Sequence, residues 1–196
     1  NDPNTYYQAW RRQGLYKVKN NELQFLYKYG NNTSPFGAAH TVVPRFDRHG
    51  NLWVTANRKN DNESIWILPA AKVASATPPL KADWITQKLP GVNTGELQFS
   101  RVIALKNADI MVHTPGDWGR PIYVIDESNI NAANPTYLSV TSINDQDGSS
   151  LDWNYIFTLA VDNNDNVWVG YNNGLFYFNP QQALADRRLV GAGPEI

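Results

Sequence analysis

I-F-T-L-A-V-D-N-N-D-N-V-W-V-G-Y-N-N-G-L-F-Y-F-N-P, residues 156–180, decides how this chain is read. Phe157, Leu159 and Val161 alternate with smaller or polar residues, the period-two pattern of a half-buried strand. Asp162-Asn163-Asn164-Asp165-Asn166 breaks the pattern with side chains that bond their own backbone and tolerate turn geometry. Val167-Trp168-Val169-Gly170 resumes it. Asn172-Asn173-Gly174 signals a hairpin, because Asn and Gly accept positive φ, and Leu175-Phe176-Tyr177-Phe178 makes a third strand that Asn179-Pro180 stops. No helical period fits.

The unit recurs. Asp47-Arg48-His49-Gly50-Asn51-Leu52-Trp53-Val54 matches residues 162–169 position for position, 115 residues earlier (47 against 162). Half that offset, about 58 residues, carries Trp53 to Met111, and residues 101–112 repeat the strand-turn-strand shape with a degraded turn. A period of about 40–60 residues with four short strands per unit marks a β-propeller, whose blades stack because none can bury both faces alone. The predicted fold is therefore all-β, a partial β-propeller of about three and a half four-stranded blades.

Taken in order, residues 1–30 read as a half blade with strands at Tyr6–Trp10, Gly14–Val18 and Leu23–Tyr27 and no inner strand. Residues 31–90 form a blade with strands at Thr41–Phe46, Asn51–Ala56, Ser64–Leu68 and Trp84–Leu89, interrupted by an insertion with one helical turn closed at Pro78-Pro79. Residues 91–143 form the next blade and 144–196 a last one without a clear outer strand, where residues 182–189 suit a short helix. The two ends leave raw blade faces, so the missing blades of a parent chain or a second copy of this chain are the expected covering partners. The start at Asn1 reads as that of a piece of something longer.

Composition sets limits. With a net charge of −1, the 196 residues give no electrostatic case for nucleic acid or an anionic membrane. No apolar run reaches the roughly 20 residues of a membrane helix, so no membrane insertion is expected in this segment. The absence of Cys excludes disulfides and thiolate chemistry.

At residues 47–54 and 162–178 the pattern of an Asp, a Gly/Asn-rich turn, an aliphatic-Trp-aliphatic strand and then Gly-Leu-aromatic resembles the two-component regulator propeller repeat. A third unit at 110–113 lacks the Trp, and the N-terminal half-unit keeps only Gly14-Leu15-Tyr16. The resemblance implies an extracytoplasmic region of a Bacteroidetes-type hybrid sensor kinase, or a surface propeller protein resembling accessory components of type IX secretion. It implies a periplasmic or cell-surface location. It names a scaffold, and function follows from the site.

Asp47, Trp53, Met111, Asp162, Trp168 and Gly174 hold equivalent places in the repeat, which assigns them to structure and the two Trp to packing between blades. The acidic turns at 162–166 and 145–148 resemble the start of a calcium loop, but neither has the bidentate Glu at loop position 12, so no metal is expected. His40, His49 and His113 lie at no ligand spacing and accompany no nucleophile motif; no catalytic residue and no cofactor are expected. The Asn-x-Ser/Thr triplets at Asn31, Asn32 and Asn62 read as turn residues.

Two loops break the repeat. One carries Trp118 and Arg120, the other Asp152, Trp153 and Tyr155; with Arg101 they form the candidate ligand-binding set. An aromatic beside Arg suits stacking and paired bonding to a sugar or carboxylate, so a carbohydrate or peptide ligand is expected. The sequence therefore supports a non-catalytic binding or sensor module, with a protein-docking surface scaffold as the second reading and a propeller lyase or glycosidase as the third.

Overall fold

The computed structural model describes residues 4–10, 14–28, 42–56, 63–89, 101–114, 122–129, 136–144, 147–151 and 155–192. They fall in two compact units, residues 1–98 and 99–196. In the first, β1 (Thr5–Trp10), β2 (Gly14–Lys19) and β3 (Glu22–Lys28) form one antiparallel meander. A second follows as β4 (Val42–Phe46), β5 (Leu52–Ala56), β6 (Glu63–Leu68) and β7 (Ile85–Lys88). The other unit repeats the plan with β8 (Arg101–Ala104), β9 (Ile110–Thr114), β10 (Ile122–Asp126) and β11 (Tyr137–Val140), then β12 (Ile156–Val161), β13 (Val167–Tyr171) and β14 (Gly174–Phe178).

Within each unit the first strands of the two meanders lie side by side, β1 by β4 and β8 by β12. The sheets stack face to face. Leu15 of β2 and Leu26 of β3 pack with Leu52, Val54, Trp66 and Leu68. Val112, Val124 and Leu138 pack with Val167, Val169 and Phe176. Strand alternation alone produces this, since residues two apart share a face. This is the expected all-β arrangement of stacked propeller blades.

The connections follow local chemistry. Asn20 (φ 52°) and Asn21 (φ 65°) both take the left-handed conformation in the β2–β3 turn, the twist that suits a two-residue hairpin. In the β13–β14 hairpin positive φ falls on Gly174 alone of the three residues that signalled it. The insertion after β6 holds α1 (Ala70–Val73), and Lys72 Nζ lies 2.6 Å from Asp83 Oδ1 in the single turn Lys81–Asp83. After β14, Asn179 accepts from Gln182 N at 3.0 Å and starts α2 (Pro180–Asp186), with proline where no amide donor is needed.

Two places depart from the sequence reading. Phe157 does not face the core: the β12–β13 pairing slips between Ile156 and Thr158, and Phe157 is 60% exposed. The tail, which carries little strand character, still reaches β14. Tyr177 N donates to Ala192 O at 2.9 Å and Ala192 N to Tyr177 O at 2.8 Å, while Leu189 and Ala192 are buried. Here α2 sets the path and a glycine admits it. A methyl group on Gly191 would sit 3.1 Å from Ile143 Cγ2 and Phe176 Cδ2 and 3.2 Å from Leu151 Cδ1.

Candidate functional site

The repeat residues form two copies of one cradle. Asp47 Oδ1 accepts from the amides of His49 (2.9 Å) and Asn51 (2.8 Å), and Oδ2 from Asn51 Nδ2 (2.7 Å) and Trp53 Nε1 (2.8 Å). Asp162 Oδ1 accepts from Asn164 N (2.8 Å) and Asn166 N (2.9 Å), and Oδ2 from Asn166 Nδ2 (3.0 Å) and Trp168 Nε1 (3.1 Å). The fourth turn position is left-handed in both, Gly50 at φ 82° and Asp165 at φ 60°. Four N–H donors on one carboxylate favour its ionised form, and the bond from Asn166 leads in holding Asp162 down to about 2. Trp53 is 1% exposed, whereas Trp168 is half-buried with its ring on Tyr177 at 4.7 Å. The motif fixes the indole nitrogen in both; covering the ring is a separate matter.

The degraded unit replaces this polar cradle with apolar packing. Leu105 stands where the Asp would be and Met111 where the Trp would be, and both are buried. The turn it lacks is supplied from the neighbouring blade: buried Asp165 accepts from Lys106 N at 2.8 Å and Asn107 N at 2.9 Å. The calcium-like turn thus commits Asp162 and Asp165 to backbone and indole donors. Of the other such turn, Asp145 and Gln146 lie outside the described residues, and Asp147 Oδ1 accepts from Ser149 N.

His113 is buried at 1% exposure. Its Nδ1 lies 3.0 Å from Arg101 O, and a carbonyl only accepts, so Nδ1 carries the proton and Nε2 is a bare acceptor without a partner. Burial pushes this imidazole down to about 4, opposed by the bond to Arg101. It stacks on Tyr123 at 6.1 Å and packs as a neutral ring. His49 is exposed in its turn, and His40 lies outside the described residues.

Of the ligand-binding set, Trp118, Arg120, Asp152 and Trp153 lie outside the described residues, as do Asn31, Asn32 and Asn62. Arg101 opens β8 and Tyr155 directly precedes β12. Those strands are neighbours, and their far ends are tied by the Asp165 bonds to 106 and 107, so their starts share one end of the unit. Tyr155 is held by Asn172, whose side-chain oxygen accepts from Tyr155 N at 3.2 Å while its amide donates to Tyr155 O at 3.0 Å. Its ring lies parallel to that of Phe157, with centroids 6.5 Å apart and planes 7° apart. The slip in β12 turns Phe157 outward to make this pair, as bulges do when they re-aim a side chain. Sequence reading missed Phe157 because strict alternation sends it inward; no local signal marks the bulge except Gly170. A methyl group there would meet Thr158 Cγ2 at 2.8 Å.

Stacked meanders with adjoining first strands define a β-propeller repeat protein. Residues 150–173, the part of the chain that ends in the repeat Trp strand, match the family model described as Two component regulator propeller. No curated protein matches the chain. Among solved structures it is similar to PorZ, an essential bacterial surface component of the type-IX secretion system of Porphyromonas gingivalis, with 18% identity, a TM-score of 0.75 and coverage of 97% of this chain. It is also similar to the extracellular domain of the hybrid two component system BT4673 from B. thetaiotaomicron, with 17% identity, a TM-score of 0.59 and 97% coverage. The chain spans 25% and 24% of the length of those two solved chains. At such identities the likeness establishes the fold. No helix among the described residues is long and apolar enough to cross a membrane.

Proposed function

We propose that this chain is part of a non-catalytic, ligand-sensing β-propeller region of a bacterial extracytoplasmic two-component regulator. The observation that carries the reading is the Tyr155–Phe157 pair, an aromatic platform turned outward by a bulge on an otherwise rigid sheet. Large aromatics are costly to expose without a partner, and loops on a rigid scaffold are where ligands are met. The platform adjoins the repeat-breaking segment 152–154, and Arg101 opens the adjacent strand. A ring stacked on flat apolar surface beside a guanidinium suits a carbohydrate or a peptide carboxylate. The extracellular BT4673 domain supports the sensor reading and the periplasmic or cell-surface location.

The higher TM-score to PorZ favours a second reading, a docking scaffold of a surface secretion component. The two differ in the parent gene: a membrane span and kinase belong to the sensor, a secretion-type C-terminal domain to the scaffold. Titration of the purified chain with a panel of oligosaccharides and peptides tests binding. Phe157→Ala should weaken the best binder by about tenfold, the loss of one stacked ring. Unchanged affinity would remove the platform from the account, and turnover of chromogenic glycosides would remove the non-catalytic reading.

A further inference from the structure

A separate site is built into the first unit. β2 reads Leu15-Tyr16-Lys17-Val18-Lys19, and residues two apart share a face, so Lys17 and Lys19 continue the face on which Leu15 enters the core. Tyr7 and Thr5 pair with them across the strand and share that face. Lys17 is 7% exposed, a lysine at a position the pattern reserves for an apolar residue. Its Nζ donates to Val73 O at 2.8 Å, one bond among the described residues for an ammonium with three donors. Burial, and then Lys19 nearby, lower its affinity for the proton. A buried ammonium beside another cation is an arrangement that an anion would relieve.

The space in front of these lysines is a groove of about 830 Å³ that Arg48 and Phe46 also line. That volume lies within the range of small-ligand pockets. Phe46 is 39% exposed and meets Tyr7 edge-on with centroids 4.7 Å apart, so the groove has an aromatic wall. The one carboxylate in the lining among the described residues, Asp47, already accepts four N–H groups. Three cations on a chain whose net charge is −1 make this groove electrostatically unlike the whole.

We propose that this groove binds a small organic anion, a carboxylate carried on a ring, with Lys17, Lys19 and Arg48 supplying the charge and Tyr7 and Phe46 the wall against which the ring lies. The site is distinct from the Tyr155–Phe157 platform. Calorimetric titration of the full chain with D-glucuronate and benzoate, against glucose as the neutral control and inorganic phosphate as the ringless anion, tests it. At least one ring carboxylate should bind, more weakly as salt rises. Lys19→Gln, at an exposed position, should weaken it several-fold, Lys17→Met by about tenfold or more. Phe46→Ala should weaken the ring carboxylates, and Phe157→Ala should leave them unchanged. Glucose binding as tightly as glucuronate, phosphate binding as tightly as the ring carboxylates, affinity indifferent to Lys19→Gln, or no binding by any probe would each overturn the proposal.

Discussion

At the scale of residues, one carboxylate with four donors explains why Asp and Trp recur six positions apart. Removing Asp47, itself buried, leaves two amides, a carboxamide and the buried indole N–H of Trp53 without their acceptor. Asp47→Ala should therefore cost about 3 kcal/mol or more in chemical denaturation. Trp53→Ala should cost about 3–5 kcal/mol as a large-to-small core change. Asp162→Ala should cost less than Asp47→Ala, since Asp162 and Trp168 are half-buried where Asp47 and Trp53 are buried. Acid should act in two steps. His113 titrates near 4 in the fold and near 6.5 when unfolded, so the unfolded chain gains a proton first, and stability falls between those values. Asp162 titrates at about 2 in the fold against 3.8 unfolded, so its contribution is present above 3.8 and is lost as pH falls toward 2. Denaturation midpoints against pH should lose the first step in His113→Asn and the second in Asp162→Asn. The spacing of Asp47 and Trp53 was legible in the sequence as a match to Asp162 and Trp168. Its reason was not, because a side-chain bond across a turn needs coordinates.

At the scale of elements, strands and turns were legible wherever alternation or turn residues spoke alone. They failed where one residue broke the count. The bulge in β12 reverses Phe157, and nothing in I-F-T-L-A-V separates a bulged strand from a regular one. The tail was illegible for the opposite reason: Leu189-Val190-Gly191-Ala192 pairs through isolated rungs, Val190 with Asn144 and Ala192 with Tyr177, too short for any period to register. The close approach at Gly191 carries a prediction. Gly191→Ala should cost about 1–3 kcal/mol by overpacking between Ile143, Phe176 and Leu151. Thermal melts decide this, and an unchanged midpoint would mean that the tail is not docked.

At the scale of the whole molecule, the repeat period announced the blades, while ligand and partner were legible only as broad classes, because both depend on which side chains reach the surface. The first meander shows this. Tyr6, Leu23 and Phe25 are 54%, 58% and 43% exposed on the side away from Leu15, a sheet face with apolar residues in water. We expect a second copy of the chain to cover such a face when the chain is isolated, and light scattering at micromolar concentration should report self-association that Leu23→Lys reduces. A cooperative, well-folded monomer would contradict that. Whether this blade presents an aromatic ligand platform is decided by mapping amide chemical shifts while the strongest binder of the oligosaccharide and peptide panel is titrated in. Shifts should concentrate at Arg101, residues 155–158 and residues 170–172. Shifts confined to other strands, or no binder in the panel, would contradict it.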